Sequence, residues 1–351
     1  MVLAHSRQPG LLHVARTHAD TRRDASAPDK KRGHILDACQ RGNVSALRSL
    51  SDSPGGLLDD DLRQVAWPIL LGLASSDTPM ADSCRPAQVC SGLGGDWKLL
   101  PQHRDEGQVQ LDVNRSFTFY PHNQSEAELE QRKAELSSLI VEVLRRYPFL
   151  CYFQGFHDIC QVVLLVMDRG MRANVVARLC LLRIRDFMLP SLGPTTAQLR
   201  LLPDILAKAD PELRCHIASI EPFYALAGTL TMYAHNIEDY HGIARLFDVF
   251  FAREPVFSIY IFARIVMNRR DEILNTDESD MLQVILSKVP GKMDLDVLVA
   301  RRYNRPISAV CLAVAVAGVA YYLQSYLGAL RLATSLNRRE VSSIYTDQES
   351  A

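Results

Sequence analysis

Two short constellations in this chain carry side chains suited to chemistry on a phosphate. The first is Val109-Gln110-Leu111-Asp112-Val113-Asn114-Arg115, with a carboxylate three residues ahead of a guanidinium. On a helix that spacing puts Asp112 and Arg115 on one face, where the carboxylate holds the guanidinium in a single orientation. Arginine stays charged at every relevant pH and presents a planar fork of donors, which lysine does not. Taken alone, an Asp-x-x-Arg pair is most often a solvated ion pair.

The second constellation is Tyr152-Phe153-Gln154-Gly155-Phe156-His157-Asp158. Pro148 closes the helical run before it, and Gly155 permits a tight turn ahead of the apolar helix that follows. Gln154 is therefore expected at a helix N-terminus, where free backbone N–H groups and the helix dipole favour a phosphate-bearing partner. The plain alternative is an ordinary turn between two helices.

The elements that must position these side chains are helical. Ser125 and Glu128 form a capping box, and Leu136, Leu139, Ile140, Val143, Leu144 and Tyr147 follow at spacings of three and four. The same period runs from Leu62 to Leu71 and from Ile159 to Met167, and through stretches near 172–188, 198–208, 213–233, 242–252, 255–268 and 278–289. Alternating strand patterns are nearly absent, so the expected fold is all-α. The segment from about 73 to 108, scattered with Gly, Ser, Pro and Asp, reads as a long loop forming one wall of a site.

Composition narrows the function classes. The chain has 351 residues, 48% hydrophobic and 23% charged, with a net charge of −1. A nucleic-acid binder normally carries a basic excess. The eight cysteines are scattered without a CxxC pair, which suits reduced thiols rather than a disulfide framework. No HExxH occurs, and His235 and His241 have no cysteine nearby, so no metal site is expected. There is also no GxxxxGK[ST] loop to hold a nucleotide.

The ends differ from the middle. Residues 1–33 are rich in Arg and Lys and poor in large apolar groups, so they are expected to be disordered. Ile307–Leu323 is a run of 17 residues without a charge, and continuing to Leu330 gives 24, enough to span a bilayer. Tyr321, Tyr322 and Tyr326 sit towards one end, and Arg301, Arg302 and Arg305 precede the run, which puts the N-terminal side in the cytosol. The expected organisation is a basic N-terminal segment 1–33, a helical domain 34–290, a short basic linker 291–306, a membrane anchor 307–330 and a tail 331–351.

Together the two constellations are far more specific than either alone. IxxDxxR, here with Val109 in the first place, followed some forty residues later by YxQGxxD, resembles the TBC-domain family, the GTPase-activating proteins for Rab GTPases. Leu62-Arg63, Trp67-Pro68-Ile69-Leu70-Leu71-Gly72 and Arg245-Leu246-Phe247-Asp248 resemble the same family. The likeness covers roughly residues 57–290. Within the family it is nearest the small member anchored in the endoplasmic reticulum, which acts on the Rab of ER-to-Golgi traffic. Tyr-Phe-Gln-Gly-Phe-His-Asp-Ile, Arg185-Asp186-Phe187-Met188 and the C-terminal apolar run are shared.

The resemblance implies a multi-helix domain that accelerates GTP hydrolysis by a membrane-bound Rab. It implies that Arg115 and Gln154 are inserted into the partner's site, as an arginine finger and a glutamine finger. Asp112 would orient Arg115, while Tyr152, Gly155 and Asp158 would brace the Gln154 turn. Arg63, Trp67, Arg245 and Asp248 would support the fold. GTP and Mg²⁺ would belong to the partner, leaving this chain with no cofactor of its own. The rival reading is a scaffold of the same fold that binds a Rab without catalysis.

Overall fold

The computed structural model describes residues 27–73, 95–291 and 293–299. Among these residues helices alone form, and no strand does. The N-terminal part holds α1 (Ala27–Gln40), α2 (Val44–Asp52) and α3 (Asp60–Leu70). Next come α4 (Glu106–Val113), α5 (Glu126–Arg146) and α6 (Phe156–Val166), with the first constellation on and just past α4 and the second leading into α6. Then come α7 (Arg169–Leu182), α8 (Gly193–Leu199), α9 (Leu201–Ala209), α10 (Pro211–His216) and α11 (Leu226–Leu230). The remainder is α12 (Tyr240–Ala252), α13 (Phe257–Asn268), α14 (Arg270–Leu274), α15 (Ser279–Ser287) and α16 (Leu295–Val299).

Local chemistry explains where these helices start and stop. The Ser125 hydroxyl accepts from the Glu128 N–H at 3.3 Å, and the Glu128 carboxylate accepts from the Ser125 N–H at 2.9 Å. This is the expected capping box, and α5 ends at Arg146 just before Pro148. Asp59, Asp210 and Asp239 cap α3, α10 and α12 in the same manner, each accepting a backbone N–H from the first turn. The stretches expected at 172–188 and 213–233 are not single helices. The first breaks after Leu182 and resumes as a 3₁₀ turn at Arg185–Met188. The second stops after α10, and Pro222, which lacks an N–H, opens a new 3₁₀ turn ahead of α11.

The core forms around α12, whose residues Ile243 to Ala252 are all buried and which packs on α2, α3, α6 and α16. Trp67 of α3 meets Phe251 edge-on at 4.9 Å and Phe247 at 6.1 Å. Asp248, fully buried, accepts from Trp67 Nε1 at 2.8 Å, Arg63 Nε at 3.0 Å and the Leu57 N–H at 3.0 Å. Arg245 donates to the Ser51 and Ser53 carbonyls and to Asp296. These four side chains hold α2, α3, α12 and α16 together. A second packing unit, α5 against α4, α6 and α7, carries the two constellations.

The helical region does not coincide with the 34–290 interval. Helix α1 begins at Ala27, so the boundary after residue 33 falls inside a helix. Its cations are held: Lys31 Nζ donates to the Pro54 carbonyl at 2.7 Å, Arg32 pairs with Asp59, and Ile35 and Ala38 are buried. At the other end α16 buries Leu295, Leu298 and Val299 against α12 and α13, inside the interval read as a linker. The long loop expected at 73–108 is described only from residue 95, and there Arg145 stacks on Trp97 at 5.6 Å and α4 has begun by Glu106. Residues 1–26 and the anchor expected at 307–330 lie outside the described residues. Among the described residues no helix is long and apolar enough to cross a membrane.

Candidate functional site

Arg115 stands just past the C-terminal end of α4, its N–H bonded to the Asp112 carbonyl at 3.2 Å. Its guanidinium donates to Asp112 Oδ1 at 2.7 Å while the side chain remains 54% exposed. Asp112 itself is buried and accepts two further bonds, from the Gln108 amide at 3.0 Å and the Tyr152 hydroxyl at 2.8 Å. A carboxylate with that many donors has little freedom to rotate, so it anchors the root of a guanidinium whose remaining donors face solvent. Glu106, in the first turn of α4, is bound by Arg145 of α5 through two bonds of 2.7 and 2.9 Å. That bond, outweighing the opposing effect of burial, holds the Glu106 carboxyl below its ordinary value.

Gln154 occupies the turn before α6 and is exposed. Its side-chain amide makes no hydrogen bond among the described residues, so donor and acceptor are both available to a partner. The turn depends on Gly155, which caps α6 at φ 101°. A Cβ there would stand 2.5 Å from Thr231 Cγ2, closer than carbon atoms approach without displacement. On the other side, the Tyr152 N–H donates to Asp105 at 2.8 Å and the Cys151 N–H to the Met188 carbonyl at 2.8 Å. The loop carrying Gln154 is thus fastened before the exposed residue and runs directly into α6 after it.

Two of the supporting residues, Tyr152 and Asp158, also make side-chain contacts beyond the Gln154 turn. The Tyr152 hydroxyl does not turn towards Gln154; it bonds Asp112 and lies 3.2 Å from His157 Nδ1. Its side chain therefore braces the Arg115 anchor, while its backbone fastens the Gln154 loop. Burial first, then the bond to Asp112, hold the Tyr152 phenol far above its ordinary value, so it remains a donor at neutral pH. Asp158 faces two imidazoles, His235 Nδ1 at 2.9 Å and His157 Nε2 at 3.3 Å. No direct hydrogen bond links Arg63, Trp67, Arg245 or Asp248 to Arg115 or Gln154 among the described residues.

Arg115 opens onto a groove of about 250 Å³ whose walls include Phe117, Tyr120, His157, Asp158 and His235. Gln154 is not among its lining residues. The Gln161 amide shapes one wall by accepting from the Phe117 N–H at 2.9 Å and donating to the Tyr120 carbonyl at 3.3 Å. His157 is buried, and desolvation holds it below the usual imidazole range despite Asp158 and Asp112. His235 is shifted upward, chiefly by its bond to Asp158. Sequence reading missed Gln108, Gln161, Thr231 and the role of His235. Gln108 carried the signal of helical spacing to Asp112, but nothing in the sequence joins His235 to Asp158, 77 positions away. Among the described residues no group of three or more His, Cys, Asp or Glu side chains is placed to hold a metal ion.

Comparison with known proteins supplies an independent line. The family model described as the Rab-GTPase-TBC domain matches residues 60–274, more than half of the chain. The chain is 35% identical to TBC1 domain family member 20 of Homo sapiens over 263 residues, 74% of this chain and 62% of that protein. It thus spans less than two thirds of that relative's length. It is 31% identical to GTPase-activating protein gyp10 of Schizosaccharomyces pombe over 274 residues, 76% of this chain and 70% of that one. Among solved structures, the Chlamydomonas flagellar RabGAP TBC domain superposes with a TM-score of 0.56 at 14% identity, covering 78% of this chain and 94% of that chain. The Ypt/Rab-GAP domain of Gyp1p also gives 0.56, at 15% identity, covering 76% and 96%. At such identities the structural likeness is one of fold.

Proposed function

The chain belongs to the Rab-GTPase-TBC domain family, and from that membership we propose that it accelerates GTP hydrolysis by a Rab GTPase, with Arg115 and Gln154 inserted into the partner's nucleotide site. The observation that carries the reading is the pairing of two exposed side chains on anchored supports. Arg115 is held by buried Asp112, and Gln154 is presented unbonded on a turn fastened ahead of it and continued by α6. A purely structural residue gains nothing from such exposure. The Tyr152–Asp112 bond joins the two supports, so the side chains keep a fixed relation.

Hydrolysis of GTP builds charge on the phosphoryl oxygens and needs a positioned water. The Arg115 guanidinium would neutralise that charge, a contribution of about 10³–10⁵ in rate when supplied in trans. The Gln154 amide would accept from the water and donate to a neighbouring acceptor, holding the nucleophile in line. Neither group needs to gain or lose a proton. Nucleotide and Mg²⁺ come with the partner, and this chain contributes positioning and preorganised charge.

The test is single-turnover GTP hydrolysis by a panel of GTP-loaded Rabs with the purified full chain. Arg115→Ala and Gln154→Ala are each expected to lose most of the acceleration while melting like the wild type. Binding of a GTP-loaded Rab with unchanged hydrolysis would establish the rival, a non-catalytic scaffold. The reading extends to location: residues 307–330 anchor the chain in the endoplasmic reticulum or an early secretory membrane with the helical domain in the cytosol, supported by the uncharged run and the arginines before it. Release of the intact protein by alkaline carbonate would refute the anchor.

A further inference from the structure

His235 lies between α11 and α12, and its backbone is fixed. Met232 and Tyr233 just before it are left-handed, at φ 48° and 63°. The Tyr120 hydroxyl reaches the Ala234 carbonyl at 3.4 Å, and the Tyr233 hydroxyl donates to the Ser258 carbonyl at 2.7 Å. The ring is nevertheless 65% exposed and lines the same groove as Arg115. Asp158 of α6 takes Nδ1 at 2.9 Å. Imidazole geometry then directs Nε2 away from the carboxylate, and among the described residues Nε2 has no partner.

We propose that His235 is a second partner-contacting cation of the site, its Nε2–H donating to an anionic group of the docked GTPase from the groove that Arg115 also faces. The proposal rests on the Rab-activating reading and names one more specificity-determining residue for it. A carboxylate on Nδ1 and a free Nε2 make an oriented donor, provided the ring is doubly protonated. On losing a proton the ring keeps Nδ1–H on Asp158, and Nε2 changes from donor to acceptor. The contact would then be lost.

The groups facing His235 set when this happens. Asp158 favours the charged ring, while Arg115, past the end of α4, and burial oppose it; His157 of α6 shares Asp158. The bond to Asp158 outweighs the rest, so the ring holds its proton to higher pH than a free imidazole. The contact is therefore present at low pH and fades as pH rises through that raised value.

The experiment compares the full wild-type chain with His235→Asn, which keeps a side-chain amide beside Asp158 but has no group at the Nε2 position. The probe is the GTP-loaded Rab that the wild type accelerates most. Rates are measured between pH 6 and 8, and the variant-to-wild-type ratio removes the Rab's own pH dependence. At pH 6 the variant should be weaker in kcat/KM by about tenfold, the lower end for one charge-assisted hydrogen bond, and the ratio should rise towards one as the pH passes through the ring's raised value. A loss carried by KM identifies a surface carboxylate of the GTPase as the anion, and a loss carried by kcat identifies a nucleotide phosphate. A ratio of one throughout, or a deficit independent of pH, overturns the proposal while leaving the activity intact. No acceleration by the wild type on any Rab overturns this proposal and the activity reading together.

Discussion

Arg115 is a long side chain in water that makes one short bond, and its usefulness depends on what holds the partner of that bond. Asp112 is buried among Gln108, Tyr152 and Arg115, so its orientation is set before any GTPase arrives. Asp112→Asn keeps the shape and removes the charge, leaving the guanidinium to sample several rotamers. The expected result is a fall in kcat of about ten- to a hundredfold with KM nearly unchanged, the scale of one bond to a charged group at ~1.5–3 kcal/mol. Saturating single-turnover measurements separate the two parameters. Tyr152→Phe deletes one of the neutral donors to the same carboxylate and should cost only a few-fold in kcat, again without a change in KM. If Asp112→Asn instead raised KM alone, the carboxylate would serve docking and not the orientation of Arg115.

At the level of elements, the Gln154 turn is set by a close approach between the start of α6 and Thr231. Gly155→Ala meets two obstacles, a left-handed backbone costing about 1–2 kcal/mol and the Thr231 methyl 2.5 Å from the new Cβ. It should lower the melting temperature by several degrees, at ~2–4 °C per kcal/mol for a chain of this size, and reduce acceleration further by displacing Gln154. Adding Thr231→Ser removes the methyl, so the double variant should recover the steric part and keep the backbone part. Identical melting of single and double variants would show that the contact contributes nothing. The same element shows what a sequence can disclose. Pro148, Gly155 and the apolar run that follows are local signals, so the turn and the exposure of Gln154 were legible, as was the Asp112–Arg115 pairing at helical spacing. Tyr152 bonding Asp112, and Asp158 bonding His235, arise from packing between elements far apart in the chain, and no local periodicity encodes them. The breaks after Leu182 and His216 were missed for a related reason: apolar spacing persists across them because both sides pack on one core.

For the whole molecule, α2 and α16, from the two ends of the described chain, meet at α12, and this decides where the folded unit ends. Arg245 of α12 donates to the Ser51 and Ser53 carbonyls and to Asp296 of α16, while Asp296 also accepts from the Gly55 N–H. Leu295, Leu298 and Val299 are 8%, 5% and 5% exposed. Burying each contributes about 1.5–3 kcal/mol, against a backbone ordering cost of about 1–2 kcal/mol per residue. Over the five residues of α16 these two terms nearly cancel, so the cost of losing it lies in the apolar surface that would be uncovered on α12 and α13. The ionic part is smaller: Asp296 is 47% exposed, so its pair with Arg245 contributes less than about 1 kcal/mol. Two chains therefore discriminate the terms, one ending after residue 290 and one carrying Asp296→Ala. Thermal melts should show the truncation losing several degrees more than the substitution, with Arg245 retaining its carbonyl partners in both. Equal melting of the truncated and intact chains would place the end of the folded unit at 290, as the helical periodicity of the sequence suggested. A larger loss from Asp296→Ala than from truncation would mean that the charge, and not the apolar face, seals the two ends.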